Sequence, residues 1–205
     1  MYAGERFNGY SHLLGAILAV CGMVLLVVSA SLHGDAWSIV AVSVYGATLV
    51  LLYTVSTLYH SLKGPAKRVF QRLDHCAIYL LIAGSYTPFA LVSLRGPWGW
   101  TLFGVNWGLA LVGIVQELWL GTRTRRYSML IYLLMGWLAL IALHPLMAVL
   151  PAPALAWLAA GGLLYTAGIV FFLLDARVRH FHGIWHLFVL GGSACQYVSI
   201  FRYLT

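Results

Sequence analysis

Apolar residues run through this chain in seven long stretches separated by short polar connections. They are roughly His12 to Leu32, Trp37 to Leu62, Leu73 to Leu94, Gly99 to Leu120, Ser128 to Leu150, Ala154 to Leu174 and His182 to Leu204. Each is close to the 20 or so residues that an α-helix needs to cross a bilayer. The apolar/polar alternation of a transmembrane strand is absent, which disfavours a β-barrel. The pattern predicts an all-α integral membrane protein: one seven-helix transmembrane bundle, a single domain over residues 1–205, with tight up-and-down connections. The segment Met1 to Tyr10 is short and polar, and the apolar run after it is too long for a signal peptide with a cleavage site, so it reads as the first span.

Composition agrees. The chain is 62% hydrophobic and only 8% charged, where a soluble domain carries about 25% charged residues. So few charges exclude a soluble surface. The net charge of +7 would suit a nucleic-acid partner, but the basic residues sit in the connections, where membrane topology explains them. With the N-terminus in the cytoplasm, Arg6, Lys63, Lys67, Arg68, Arg72, Arg123, Arg125, Arg126, Arg177 and Arg179 all fall inside, and only Arg95 and Arg202 fall outside. Losing one span would spoil this alternation, so seven spans, a cytoplasmic N-terminus and an outer C-terminus are expected.

Other residues read as scaffold. Cys21, Cys76 and Cys195 form no paired framework and read as small buried residues. Gly104 with Gly108, and Gly161 with Gly168, fit close helix packing. Pro88 and Pro145 lie in or near span ends, where neighbours satisfy the freed carbonyls. Trp37, Trp98, Trp100 and Trp119 suit an interfacial belt.

The informative residues are polar ones that a membrane helix avoids. His182 and His186 open the last span four residues apart, which puts both imidazoles on one face about 6 Å apart along the axis. Ser56 and His60 repeat that spacing at the end of the second span, and Asp74 opens the third. The topology delivers His60, Asp74, His182 and His186 from three segments to one cytoplasmic depth, where ionisable groups are costly and mark a site. Three histidines with one open position form a catalytic zinc set. Imidazole also suits iron, copper and nickel, but with no thiolate and a single carboxylate zinc is favoured. Asp74 is placed to hydrogen-bond and deprotonate the water of such a site, and Ser56 to donate to the same water or to a developing oxyanion.

The remaining polar groups read as structural. His75 points about 100° away from Asp74 around the helix and is an unlikely ligand. His180 belongs in the interface, and His33 and His144 lie at the far end. Glu117 reads as an ion-pair partner of Arg123, and Asp35 and Asp175 as loop residues. Glu5, Asn8 and His12, at i, i+3 and i+7, share one helical face at the cytoplasmic end and read as a structural hydrogen-bond network, rather than direct participants, that caps the site or locks the inner mouth of the bundle.

Together these residues resemble the hemolysin-III-like branch of the progestin and adiponectin receptor superfamily. The likeness rests on Glu5-x-x-Asn8-x-x-x-His12-Leu-Leu-Gly15, Ser56-x-x-x-His60, Leu73-Asp74 through Gly84-Ser85-Tyr86-Thr87-Pro88-Phe89, and His182-x-x-x-His186. It implies zinc near the inner leaflet held by His60, His182 and His186, with Asp74 holding the water and Ser56 matching the serine of a superfamily that includes alkaline ceramidases. The chain lacks the long N-terminal region of the animal receptors and looks like the short bacterial form, so a bacterial inner membrane is expected and hormone binding is not carried over. Two readings of function follow. One is a zinc-dependent lipid amidase or esterase acting on a membrane lipid. The other is a non-enzymatic protein of membrane homeostasis whose zinc is structural or sensory. A channel is weaker, because no second set of buried ionisable residues continues toward the outer side, and nothing argues for a pore.

Overall fold

The computed structural model describes residues 1–120 and 125–205. A short turn, Ala3–Glu5, leads into α1 (Arg6–His33), followed by α2 (Ala36–Ser61), α3 (Gly64–Pro88), α4 (Pro97–Leu120), α5 (Arg125–Gly136), α6 (Leu143–Val149), α7 (Ala152–Leu174) and α8 (Phe181–Tyr203). No strand occurs among the described residues. Six of these helices are long and apolar enough to cross a membrane, and the bent pair of α5 and α6 brings the number to seven if it counts as one span.

Local chemistry sets the ends. Asp35 caps α2 by accepting the Ser38 backbone N–H at 2.9 Å, which satisfies one of the free donors of a first turn. Pro88 has no N–H to give its helix. Beyond it the chain widens into a π-helical turn, Phe89–Ser93, closed by the Leu94 N–H on the Phe89 carbonyl at 2.9 Å.

The fifth apolar stretch departs from one straight span. It runs through a 3-10 turn, Leu138–Leu140, and breaks after it: Tyr127–Leu140 and Leu143–Val149 differ in direction by 51°. Pro145 cannot donate to the Ile141 carbonyl four residues back, and its ring crowds that position, which accounts for a break there.

Sequential hairpins α1/α2, α2/α3 and α7/α8 pack most closely, α3 packs on α4, and α1 closes against α8. α5 touches α3 and α7 only lightly. Close approaches occur where a side chain would not fit. A Cβ on Gly84 would meet Thr48 Oγ1 at 2.1 Å, and one on Gly113 would meet the Tyr79 ring at 2.2 Å.

Gly161 and Gly168 do face α8, but Gly104 and Gly108 face open space. That pair of glycines has the right spacing on a lipid-facing side, so the expected packing is not found there. Cys76 and Cys195 are buried, whereas Cys21 is exposed on α1. The four tryptophans at the span ends are all exposed, Trp119 to 85%, and Arg95 lies over Trp37 and pairs with Asp35 at 2.9 Å.

Candidate metal centre

At the end of the bundle that holds the N-terminus, His60 from the last turn of α2 meets His182 and His186 from the first turns of α8. Their candidate ligand atoms all lie within 4.8 Å of one another, and the three residues form a group able to hold a metal ion. The chain reaches α8 through a turn in which His180 adopts a left-handed backbone, φ 68°. Between the two α8 histidines, Gly183 lets α1 come close: a Cβ there would lie 2.2 Å from the Phe7 ring.

The imidazoles are oriented by what each Nδ1 touches. His60 Nδ1 meets Glu5 Oε2 at 2.6 Å, and His182 Nδ1 meets Asp175 Oδ2 at 2.7 Å. His186 Nδ1 meets the Asn8 carbonyl at 3.1 Å and Ser11 Oγ at 3.2 Å; the Ser11 hydroxyl itself donates to that carbonyl. Carboxylates and carbonyls only accept, so each Nδ1 carries the proton and each Nε2 presents a lone pair. All three Nε2 atoms are buried without a hydrogen-bond partner. A buried orphan of this kind is costly. Three together, each backed by an acceptor on the other nitrogen, form the outer-sphere pattern of metal-binding histidines.

The N-terminal turn is strapped down by Glu5. Its carboxylate accepts from Asn8 Nδ2 at 2.9 Å and from Lys67 Nζ at 2.5 Å, besides the contact with His60. Burial would push the Glu5 carboxyl up, but hydrogen bonds from His60, Lys67 and Asn8 outweigh it and hold it below the ordinary carboxylate range. The Lys67 ammonium also bonds the Tyr2 hydroxyl and lies over the Tyr59 ring.

Asp74 is buried on α3, hydrogen-bonded to Ser56 and near His60 and His182. Ser56 in turn lies 2.7 Å from His12 Nδ1. The structure thus brings together all five residues singled out by spacing: Ser56, His60, Asp74, His182 and His186. His12 is closer to the centre than a capping network implies. Its ring is stacked on His186, centroids 3.6 Å apart, and its own Nε2 has no partner.

His75 turns the other way, as expected, and meets Glu117 Oε1 on α4 at 2.8 Å. Glu117 also accepts from Ser128 at 3.2 Å. Arg123, its expected partner, lies outside the described residues. Asp175 is more than a loop residue, since it orients His182. Nothing in the sequence flags it, because a chain reversal between α7 and α8 brings it back. Ser11 has only its proximity to His12 to mark it.

From Asp74 and His12 a cavity of about 120 Å³ extends between α3, α5, α7 and α8. Its walls are largely apolar and include Leu81, Ile82, Leu133, Ile169 and Val189.

The sequence profile described as "Haemolysin-III related" matches residues 2–197. The chain is 46% identical over 201 residues to "Hemolysin-3" of Bacillus cereus, covering 98% of this chain and 91% of that protein. It is 41% identical over 200 residues to "Hemolysin-3 homolog" of Bacillus subtilis (strain 168), covering 97% and 93%. It is 30% identical over 203 residues to "Monocyte to macrophage differentiation factor" of Homo sapiens, covering 96% and 83%.

Proposed function

The chain belongs to the haemolysin-III-related family, and we propose that it is a zinc-binding membrane protein that hydrolyses an amide or ester of a membrane lipid at the cytoplasmic leaflet of a bacterial inner membrane. The observation that carries this reading is the cluster of three unpaired histidine nitrogens near Asp74, which itself lines an apolar cavity.

His60, His182 and His186 would hold the ion; a neutral three-imidazole donor set suits zinc with one position open. Bound zinc supplies two things, a lowered pKa for water and polarisation of an acyl carbonyl. Asp74 accepts the proton released as water attacks that carbonyl and returns it to the departing amine or alcohol as the acyl C–N or C–O bond breaks. Ser56, whose hydroxyl has one proton to give, turns it from the Asp74 carboxylate to the oxyanion as that charge develops. The apolar walls exclude water and take the acyl chain, which enters from the bilayer where α5 packs lightly on its neighbours. The charge distribution of the connections supports a cytoplasmic N-terminus, hence this leaflet.

One observation favours a second reading. The histidines come from α2 and α8, which are otherwise joined by hydrogen bonds of Tyr53 and Tyr45 with Ser193. A metal at the other end would clamp the two helices, as a structural or sensory site requires.

Metal analysis and lipid hydrolysis by wild type and Asp74→Asn separate the readings. Hydrolysis lost with zinc retained supports the enzyme. Lipid profiles identical with and without the protein would rule the hydrolase out and leave the clamp.

A further inference from the structure

The cavity has a second polar end. Its wall residues satisfy nearly all of their polar atoms internally. Ser85 donates to the Ile82 carbonyl at 2.8 Å, Tyr86 to Gly136 at 2.7 Å, Tyr132 to His75 at 2.9 Å, and Trp137 to Thr166 Oγ1 at 3.0 Å. Among the described lining residues two buried side-chain atoms have no partner: His12 Nε2 at the histidine end, and Gln196 Oε1. Gln196 is only 7% exposed. Its Nε2 donates to the Leu158 carbonyl on α7 at 3.3 Å, which leaves the oxygen unsatisfied.

Gln196 stands ten residues beyond His186 on α8, about 15 Å farther along the axis. One turn before it, Ser193 Oγ is bridged by the hydroxyls of Tyr53 and Tyr165, each at 2.8 Å, and Tyr165 also lines the cavity. A hydroxyl cluster and a buried, unpaired carboxamide oxygen thus lie one turn apart on α8, beside the apolar cavity. In a bilayer such an oxygen has no water to turn to, and leaving it unpaired costs free energy.

We infer that Gln196 forms a distal subsite for a hydroxyl group carried on the acyl chain. The proposal rests on the reading of the cavity as an acyl-chain site. A hydroxyl both donates and accepts, so it suits the carboxamide oxygen, and also the amide nitrogen if the group turns over. The terminal torsion of glutamine is broad, so the carboxamide can turn its oxygen to a ligand without leaving its rotamer.

The length fits. Three backbone bonds of an extended chain span about 3.6 Å, so 15 Å of reach corresponds to about a dozen single bonds. The ligand class is a medium-length acyl chain hydroxylated at or near its end. A hydroxyl entering an apolar cavity loses its hydration and is penalised unless it is paired again. The subsite therefore both rewards the hydroxylated chain and sets its length.

The test uses the full chain in phosphatidylcholine nanodiscs, titrated calorimetrically with dodecanoate and with 12-hydroxydodecanoate. Wild type is expected to bind the hydroxylated probe about five- to tenfold more tightly. In Gln196→Met the order reverses, because the hydroxyl is then buried without a partner, while dodecanoate binds as before and shows that the variant is folded. Equal binding of the two probes by wild type, or a preference unchanged in Gln196→Met, overturns the subsite and leaves the acyl cavity standing. Failure of both probes to bind wild type overturns the acyl cavity and the subsite together.

Discussion

The imidazole of His12 lies flat against that of His186, ring centroids 3.6 Å apart and planes 11° from parallel. A residue of the first helix is thereby packed on a metal-binding candidate of the last, while its Nδ1 reaches Ser56 on the second. The stack and the hydrogen bond are separable. His12→Phe keeps a ring against His186 and loses the link to Ser56; His12→Ala loses both. Phenylalanine is expected to retain zinc at wild-type affinity in a chelator competition while lipid hydrolysis falls. Alanine is expected to weaken zinc as well, by about tenfold, the low end for outer-sphere losses.

The carboxylates behind the ligands make a second prediction. Asp175→Asn and Glu5→Gln each remove the charge that fixes a histidine tautomer. Each is expected to weaken zinc by 10–100-fold, the usual range for such partners. Competition against a chelator of known affinity measures it.

Glu5 also gives a pH dependence. Its folded pKa lies below the ordinary 4.5 because of hydrogen bonds from His60, Lys67 and Asn8, which outweigh burial. A carboxyl depressed in the folded state contributes stability that is complete above its unfolded pKa and is lost as pH falls through the folded one. The difference in melting temperature between wild type and Glu5→Gln is therefore expected to be full at neutral pH and to shrink only below about pH 4.5. A difference that vanished already at pH 6 would show that the strap does not depend on Glu5 ionisation.

The His75–Glu117 pair shares no member with the candidate metal site; Glu117 is only 1% exposed and His75 is partly buried. Removing one member leaves the other without its partner, a change that costs about 3–5 kcal/mol in a protein interior. Glu117→Leu is expected to lower the melting temperature clearly and leave zinc content near wild type. His75→Leu combined with Glu117→Leu is expected to recover part of the loss.

Glycines divide by what they face. Gly84→Val drives a side chain into Thr48 and is expected to cost about 1–3 kcal/mol, the usual range for overpacking. Gly104→Ala meets nothing within 4 Å and is expected to be neutral or mildly stabilising. Unfolding of both variants in mixed micelles checks the contrast.

The apolar pattern makes the helices legible because length and hydropathy alone decide whether a segment can cross a bilayer. His60, Asp74, His182 and His186 were legible for the same reason: each is costly in a span, and the charges of the connections put all four at one depth. The break in the fifth stretch was not, because Pro145 reads equally well as a tolerated residue near a span end. Asp175 and the Asn8 carbonyl were hidden because a backbone acceptor carries no residue signature, and because the turn that returns Asp175 to His182 is set by tertiary packing. Gly104 and Gly108 show the converse: spacing alone does not say which face of a helix meets a neighbour.

The contact between His186 and the Asn8 carbonyl joins positions 178 residues apart. During synthesis the first turn of α1 leaves the ribosome long before α8 exists. The candidate metal site is therefore among the last features to assemble, once every intervening helix has been threaded. If the site holds zinc as proposed, its retention reports complete insertion: a chain stopped before Phe181 keeps Glu5, Asn8 and His60 but lacks His182 and His186, two of the three candidate ligands.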